Sequence, residues 1–348
     1  GRPIFLEFDA VSYACRVSLN GIPAGEHLGL WTPFSLDVTA AARPGVENLL
    51  ELEVWKPGDR YPMRSSLAGF LPDVATTFGG IWQSCRLTSY THAFRDLKLD
   101  AEPDTGRLYV HGSLFTSRPD LTGIVDITVD LAGQTVARAD LPVAADGVLD
   151  VALDIPDFMR WSPEQPTLYN AGFAWQQAGA VVAAAQRRIG FRQLAADGNR
   201  TLLNGQPVCL RGALSWGWDP DVIAPYYTPD KARQEFRILR AMGFNLVKLC
   251  LFLPNQAYFD SADEEGMLLW VEFPMWLPEV TEALCAQAPG EYADYVRLTR
   301  HHPSVVLYTL GCEMDRSVGS ALLGTLNRVV RDSVSHVLVC DNSGSGES

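Results

Sequence analysis

The stretch HHPSVVLYTLGCEMD, residues 301–315, decides how the C-terminal half of this chain is read. A run of Val305, Val306, Leu307, Tyr308, Thr309 and Leu310 stops at Gly311–Cys312, and a carboxylate, Glu313, follows at once. A strand that is apolar at successive positions must be covered on both faces, as strands of parallel sheets are. The same texture recurs upstream in FNLVKLCLFL (244–253) and MLLWVEF (267–273), and downstream in HVLVCD (336–341).

Segments of helical spacing separate these runs. Thr228–Pro229 reads as an N-cap followed by proline at the first helical position. The helix that follows places Ala232, Phe236 and Leu239 on one face and stops at Gly243. A second helix, NQAYFDSADEEG, stops at Gly266, a third is expected over EYADYVRLTRHH (291–302), and a fourth over ALLGTLNRVVRDS (321–333). Strand and helix alternating about five times gives a (β/α) barrel or a doubly wound sheet. No GxGxxG follows any strand, so the barrel is the expectation. Asp219, Glu272, Glu313 and Asp341 stand just past strands, on the face where barrels do chemistry. A complete barrel takes about 250 residues. Too few follow Phe191, so strands one to about five are expected, in a fragment lacking both native ends.

Before Phe191 the pattern is short alternating strands broken by turn signals such as Asn20–Gly21 and Lys56–Pro57–Gly58–Asp59. RLYVHGSLF, GIVDITVDLA, QTVARADL and VLDVALDI follow at regular spacing, which suggests a sandwich. The expected fold is multidomain β and α/β: a β-sandwich over 1–91, a second over 92–190, and the incomplete (β/α)₈ barrel over 191–348.

Composition narrows the function. The chain has 348 residues, 47% hydrophobic and 20% charged, with a net charge of -13. Such acidity argues against a nucleic-acid partner. No run reaches the roughly 18 apolar residues of a membrane span. Seven cysteines are scattered without a CxxC pair or a histidine cluster, which argues against zinc. An odd thiol favours a reducing compartment, read here as the cytoplasm.

VSLNGIPAGEHLGLWTPFSLDVT followed by FGGIWQSCRL resembles the sugar-binding jelly roll of family 2 glycoside hydrolases. WSPEQPTLY (161–169) and RRIGFRQL resemble the end of that family's immunoglobulin-like domain. LNGQPVCLRGA, MGFNLVKL, ADEEGMLLWVEFP and HHPSVVLYTLGCE resemble barrel strands one to four. The resemblance covers essentially the whole chain in the family's order. It implies a retaining exo-β-glycosidase acting on a carbohydrate substrate; one related branch uses Mg²⁺ and Na⁺, but no carboxylate cluster in this sequence argues for them, so no metal or organic cofactor is expected. It leaves the oligomeric state open, a homo-oligomer included. The alternative is a homologue that binds carbohydrate, or serves as a scaffold, without turnover.

The resemblance further implies that Glu313 is the general acid/base. Burial at the end of a dry strand would suit that role. The family's nucleophile is a second Glu ending strand seven, expected beyond this chain. Glu347, after strand five, is not assigned that role. Cys312 replaces the family's asparagine, and a thiol is a poor hydrogen-bond donor. Lys248 replaces its strand-two arginine, keeping charge but losing the fork. Trp216 and Trp276 are expected at the pocket rim, with Glu272 as an orienting carboxylate or a partner of Lys248 or Arg211. Arg211 is itself a candidate substrate contact. Trp270 reads as core, Trp31, Trp82 and Trp161 as packing residues of the β domains, and His301 or His302 as a helix C-cap.

Overall fold

The computed structural model describes residues 2–69, 77–119, 121–314 and 320–344. The N-terminal part holds two three-stranded antiparallel sheets. In one, Ile4–Phe8 lies between Phe34–Asp37 and Cys85–Ser89; in the other, Ala14–Leu19 lies between Ile22–Leu28 and Leu50–Trp55. Alternate side chains, among them Leu6, Phe8, Cys15, Val17 and Leu19, fill the core between them. Asn20 and Gly21 both adopt left-handed backbone (φ 55° and 76°), which matches the twist of a two-residue hairpin.

Residues 92–189 form two antiparallel sheets with a shared core. Arg107–Thr116 pairs with His92–Glu102 and Val148–Asp154, while Ile124–Leu131 and Tyr169–Gln177 are the inner strands of the four-stranded sheet. Val125, Ile127 and Val129 point inward from one strand and Ala171, Phe173 and Trp175 from its neighbour. Each large apolar side chain so buried contributes about 1.5–3 kcal/mol. The period-two alternation that marks these strands in the sequence is this inward set.

The last part is a five-stranded parallel sheet in sequential order: Gly212–Ser215, Leu246–Leu249, Leu268–Glu272, Val305–Thr309 and Leu338–Cys340. Helices α1 (Pro229–Ala241), α2 (Gln256–Glu265), α3 (Glu282–Thr299) and α4 (Ser320–Arg331) connect them. Strand four is buried at all five positions, as its unbroken apolar run requires. Val247, Leu249, Leu269, Val271 and Tyr308 face the helices, where Phe236, Tyr258, Tyr292 and Leu326 meet them. Thr228 caps α1, its hydroxyl accepting from the Lys231 N–H (3.3 Å). Helix α3 begins nine residues earlier than its pattern suggests, because Thr281 caps it and the chain stays helical through Pro289. Pro–Gly at 289–290 reads as a helix start, but burial of Leu284 and Ala288 holds the extra turns in place.

The β units are fastened to the parallel sheet by a few directional contacts. Arg192, 6% exposed, donates to the carbonyls of Pro303 (2.8 Å) and His336 (2.7 Å) at the entries to strands four and five. Burial lowers its guanidinium to about 10. Trp161 donates its indole N–H to the Asp263 carbonyl of α2 (2.9 Å). Trp31 and Trp82 pack against the core shared with the helices rather than the core between the N-terminal sheets. Their size anchors the N-terminal part to the rest.

Two junctions are sensitive to small changes. Gly69 (φ +74°) passes so close to strand two's exit loop that a Cβ would lie 2.1 Å from the Leu251 carbonyl oxygen. Its N–H donates to the Pro274 carbonyl (3.2 Å). Gly69→Ala should destabilise the protein by about 1–3 kcal/mol through strain and clash. An unchanged thermal midpoint would show that this approach is not constrained. Glu291 on α3 accepts from Gln287 and Tyr295, and Gln287 also donates to the Tyr13 hydroxyl (2.9 Å). Burial pushes the Glu291 carboxyl up to about 7. Between about pH 4.5 and 7 the unfolded chain therefore loses this proton while the folded chain keeps it. Stability falls as pH rises through that window, by on the order of 3 kcal/mol from this group. Glu291→Gln should remove that slope, so its stability relative to the parent rises across the window in denaturant titrations.

Candidate active site

Loops leaving the first four parallel strands each contain a non-glycine residue in left-handed backbone: Ile223 (φ 65°), Leu251 (63°), Leu277 (41°) and Glu313 (51°). Such conformations are unfavourable for branched side chains and concentrate where geometry is imposed by function. The Glu313 N–H donates to the Ser343 carbonyl (2.7 Å), so the loop after strand five holds this turn. The Cys312 N–H donates to the Met275 carbonyl (2.9 Å), tying the same turn to the loop after strand three. The Glu313 side chain receives the Trp276 indole N–H at Oε2 (2.8 Å). Glu313 is exposed, so the dry surroundings expected for it are not present among the described residues. The left-handed turn lifts its side chain off the apolar strand.

Beneath Glu313 lies a buried charge pair. Lys248 Nζ is 2.8 Å from Glu272 Oε1, with the lysine side chain 14% exposed and the glutamate fully buried. Lys248 also donates to Ser343 Oγ (3.0 Å), and Ser343 Oγ in turn donates to Glu272 Oε1. The ammonium sits 4.6 Å from the centroid of the Trp270 ring, whose N–H donates to Thr309 Oγ1 (2.7 Å). Strands two, three and four and the loop after strand five are thus joined by one polar network. Glu272 Oε2 accepts no hydrogen bond among the described residues. Cys250 and Cys312 flank this carboxylate, and burial together with its charge pushes both thiols up.

The structure therefore brings Lys248, Glu272, Cys312, Trp276 and Glu313 to one edge. Trp216 stands at the same edge beyond strand one, 37% exposed, with Trp218 beside it in sequence. Arg211 is not brought there. It precedes strand one, at the opposite end, and donates Nε to the Gly243 carbonyl (2.6 Å) behind α1. Strand direction separates it from Glu272, whose partner is Lys248. Asp219 pairs with Lys231 and accepts the N–H groups of Asp221 (2.8 Å) and Val222 (3.2 Å), a capping role. Asp341 accepts from Asn327 of α4. His302 does not cap a helix with its ring. That ring meets Asp263 Oδ2 (2.6 Å) and Gln256, pinning α2 to the entry of strand four. Asp315 and Glu347 lie outside the described residues.

Sequence reasoning missed three participants. Ser343 carried only the signal of a Gly/Ser loop able to reach the site. Cys250 had no distinguishing spacing. Arg64, from a turn of the N-terminal part, stands with its guanidinium carbon 5.7 Å from the Trp276 ring centroid. No local pattern marks it.

Comparisons with known proteins bear on this geometry. Residues 96–192 match the model of glycosyl hydrolases family 2. The chain as a whole is similar to several glycosidases. It is 24% identical to a beta-galactosidase of Thermoanaerobacter pseudethanolicus, over 88% of this chain and 42% of that protein. It is likewise 24% identical to beta-mannosidase B of Aspergillus terreus, over 88% of this chain and 41% of that one. The Parabacteroides merdae beta-glucuronidase structure superposes with a TM-score of 0.84 at 21% identity, covering 97% of this chain and 45% of that one. The chain thus spans about two-fifths of the length of these two relatives. No helix among the described residues is long and apolar enough to cross a membrane.

The buried pair makes a direct prediction. Lys248→Met leaves the Glu272 charge without its cation and should cost about 3–5 kcal/mol. Lys248→Met combined with Glu272→Leu should recover most of that loss in the same urea titration. A single variant as stable as the parent would mean that the pair is not held as a unit.

Proposed function

We propose that the protein is a retaining exo-β-glycosidase that hydrolyses terminal β-linked sugars, with Glu313 as general acid/base. The observation that carries this reading is the hold on Glu313: a left-handed turn fixed by Ser343, with one carboxyl oxygen occupied by the Trp276 N–H. The other oxygen, Oε1, is left to carry the proton. In the first step it protonates the glycosidic oxygen as a nucleophilic carboxylate, about 5 Å away, attacks the anomeric carbon. In the second it takes a proton from water as that water releases the sugar. The relatives extend well beyond the matched part, and we place the nucleophile in that remainder.

In this reading residues 1–91 are a jelly-roll domain, 92–190 an immunoglobulin-like domain, and 191–348 the first five strands of a (β/α)₈ barrel. The parallel order of those strands supports the last assignment. The Lys248–Glu272–Ser343 network is the floor of the sugar pocket, and Trp216 and Trp276 form its rim. Glycan binding without turnover is the second reading. It draws on Cys312, a buried thiol where the family has an amide donor.

A panel of aryl β-glycosides (galactoside, glucuronide, mannoside, glucosaminide, glucoside, xyloside) tested on the full-length protein separates the two. Glu313→Gln should lower turnover of the cleaved substrate by about 10²–10⁴-fold. Azide should restore it for activated leaving groups, because it attacks the glycosyl-enzyme without a general base. Binding of a glycan with no turnover of any glycoside favours the second reading.

A further inference from the structure

We infer that Arg64 equips this site with a leaving-group subsite for anionic saccharides. The inference rests on the reading of Glu313 as the acid. Residues 63–69 belong to the N-terminal part, yet they dock on the loop after strand three. The Glu279 N–H donates to the Arg64 carbonyl (2.7 Å) and the Gly69 N–H to the Pro274 carbonyl (3.2 Å). The close pass of Gly69 over the Leu251 carbonyl fixes the depth of this docking. Arg64 is thereby delivered to the outer rim with its guanidinium near the Trp276 ring, and the edge of that same indole is bonded to Glu313. Cation, indole and acid form a row.

The row has a direction. Lys248 and Glu272 are buried and lie inward of Glu313, where the sugar to be released must sit. Arg64 is exposed, on the solvent side, with its guanidinium 5.7 Å from the Trp276 ring centroid. A general acid stands between the sugar and its leaving group, so the outward side is the leaving-group side. Many cations of this acidic molecule are matched by carboxylates, as Arg16 is by Glu26 and Lys231 by Asp219. Arg64 has no acidic partner among the described residues. A guanidinium held near an aromatic ring offers a planar fork suited to a carboxylate or sulfate. The ligand class is a β-glycoside whose leaving unit carries such an anion about one ring from the scissile bond.

The test uses the full-length protein and two aryl glycosides of the sugar it cleaves. Their phenols are matched in acidity, one bearing a carboxylate on the far side of the ring and the other the corresponding amide. The carboxylate substrate should be favoured in kcat/KM by about three- to tenfold at low salt, and less as salt rises. Arg64→Ala should bring that ratio to near one, and Arg64→Lys should retain part of it. A ratio unaffected by Arg64→Ala overturns the subsite. If no glycoside is turned over, the assignment of Glu313 fails instead, and calorimetric binding decides. A disaccharide with a uronic acid at its reducing end is then compared with its neutral counterpart. A preference lost in Arg64→Ala upholds the anion site, and an absent or Arg64-independent preference overturns it. A melting curve matching the parent shows that the variant is folded.

Discussion

The site is organised by one burden: a carboxylate, Glu272, that is wholly removed from water at the end of a parallel strand. An uncompensated buried charge costs several kcal/mol, so its surroundings must supply a cation and donors. Lys248 on the adjacent strand supplies the cation, and Ser343 from the loop after strand five supplies a hydroxyl to the same oxygen. Those three residues come from far apart in sequence, and the pair is formed only if strands two, three and five are in register. The polar network therefore fixes the same strand ends that carry Glu313. Its position depends on Ser343 twice, once through that hydroxyl and once through the carbonyl that accepts the Glu313 N–H.

Strain and burial divide the work between floor and rim. The floor is dense and paired, and its thiols are held as neutral groups by burial beside a negative charge. The rim is built from loops that leave each strand through a left-handed residue, conformations that the backbone adopts only when neighbouring contacts impose them. Contacts from the N-terminal part are among those that impose them. The turn at 63–69 lies against the Leu251 and Pro274 backbone, next to two of the strained loops. The N-terminal sheets therefore shape the site as well as covering one side of the helices.

The fold was legible where one periodicity dominates. Unbroken apolar runs gave the five parallel strands, and alternation gave the sandwich strands to within a residue or two. Caps such as Thr228 and Gly266 gave helix ends because their roles are local. Helix α3 was misjudged at its start because Pro289–Gly290 reads locally as a helix start, whereas the burial of Leu284 and Ala288 that overrides it is tertiary. Glu313 and Glu272 were named from strand-end position and Lys248 from a family resemblance, and the structure brings the three to one edge. Arg211 was placed wrongly because proximity to a strand in sequence does not say which end of it a residue occupies. Arg64 and Ser343 were not legible, since each joins the site through a contact between distant segments that no spacing encodes.

Cys312 shows how a small side chain sets the packing around a buried charge pair. An asparagine here would offer an amide donor, while the thiol offers little. The thiol is also small. The loop after strand five comes close here, and a Cβ at Gly344 would fall 3.3 Å from Cys312 Sγ and 2.9 Å from Glu313 Cγ. A bulkier side chain at 312 or at 344 would compete for that space and push Ser343 away from Glu272 and Lys248. The thiol and the glycine are thus matched to each other. Together they let a hydroxyl from strand five's loop reach the Lys248–Glu272 pair. The donor capacity that a thiol lacks at position 312 is supplied by Ser343, and the packing of this strand-end cluster follows from that arrangement.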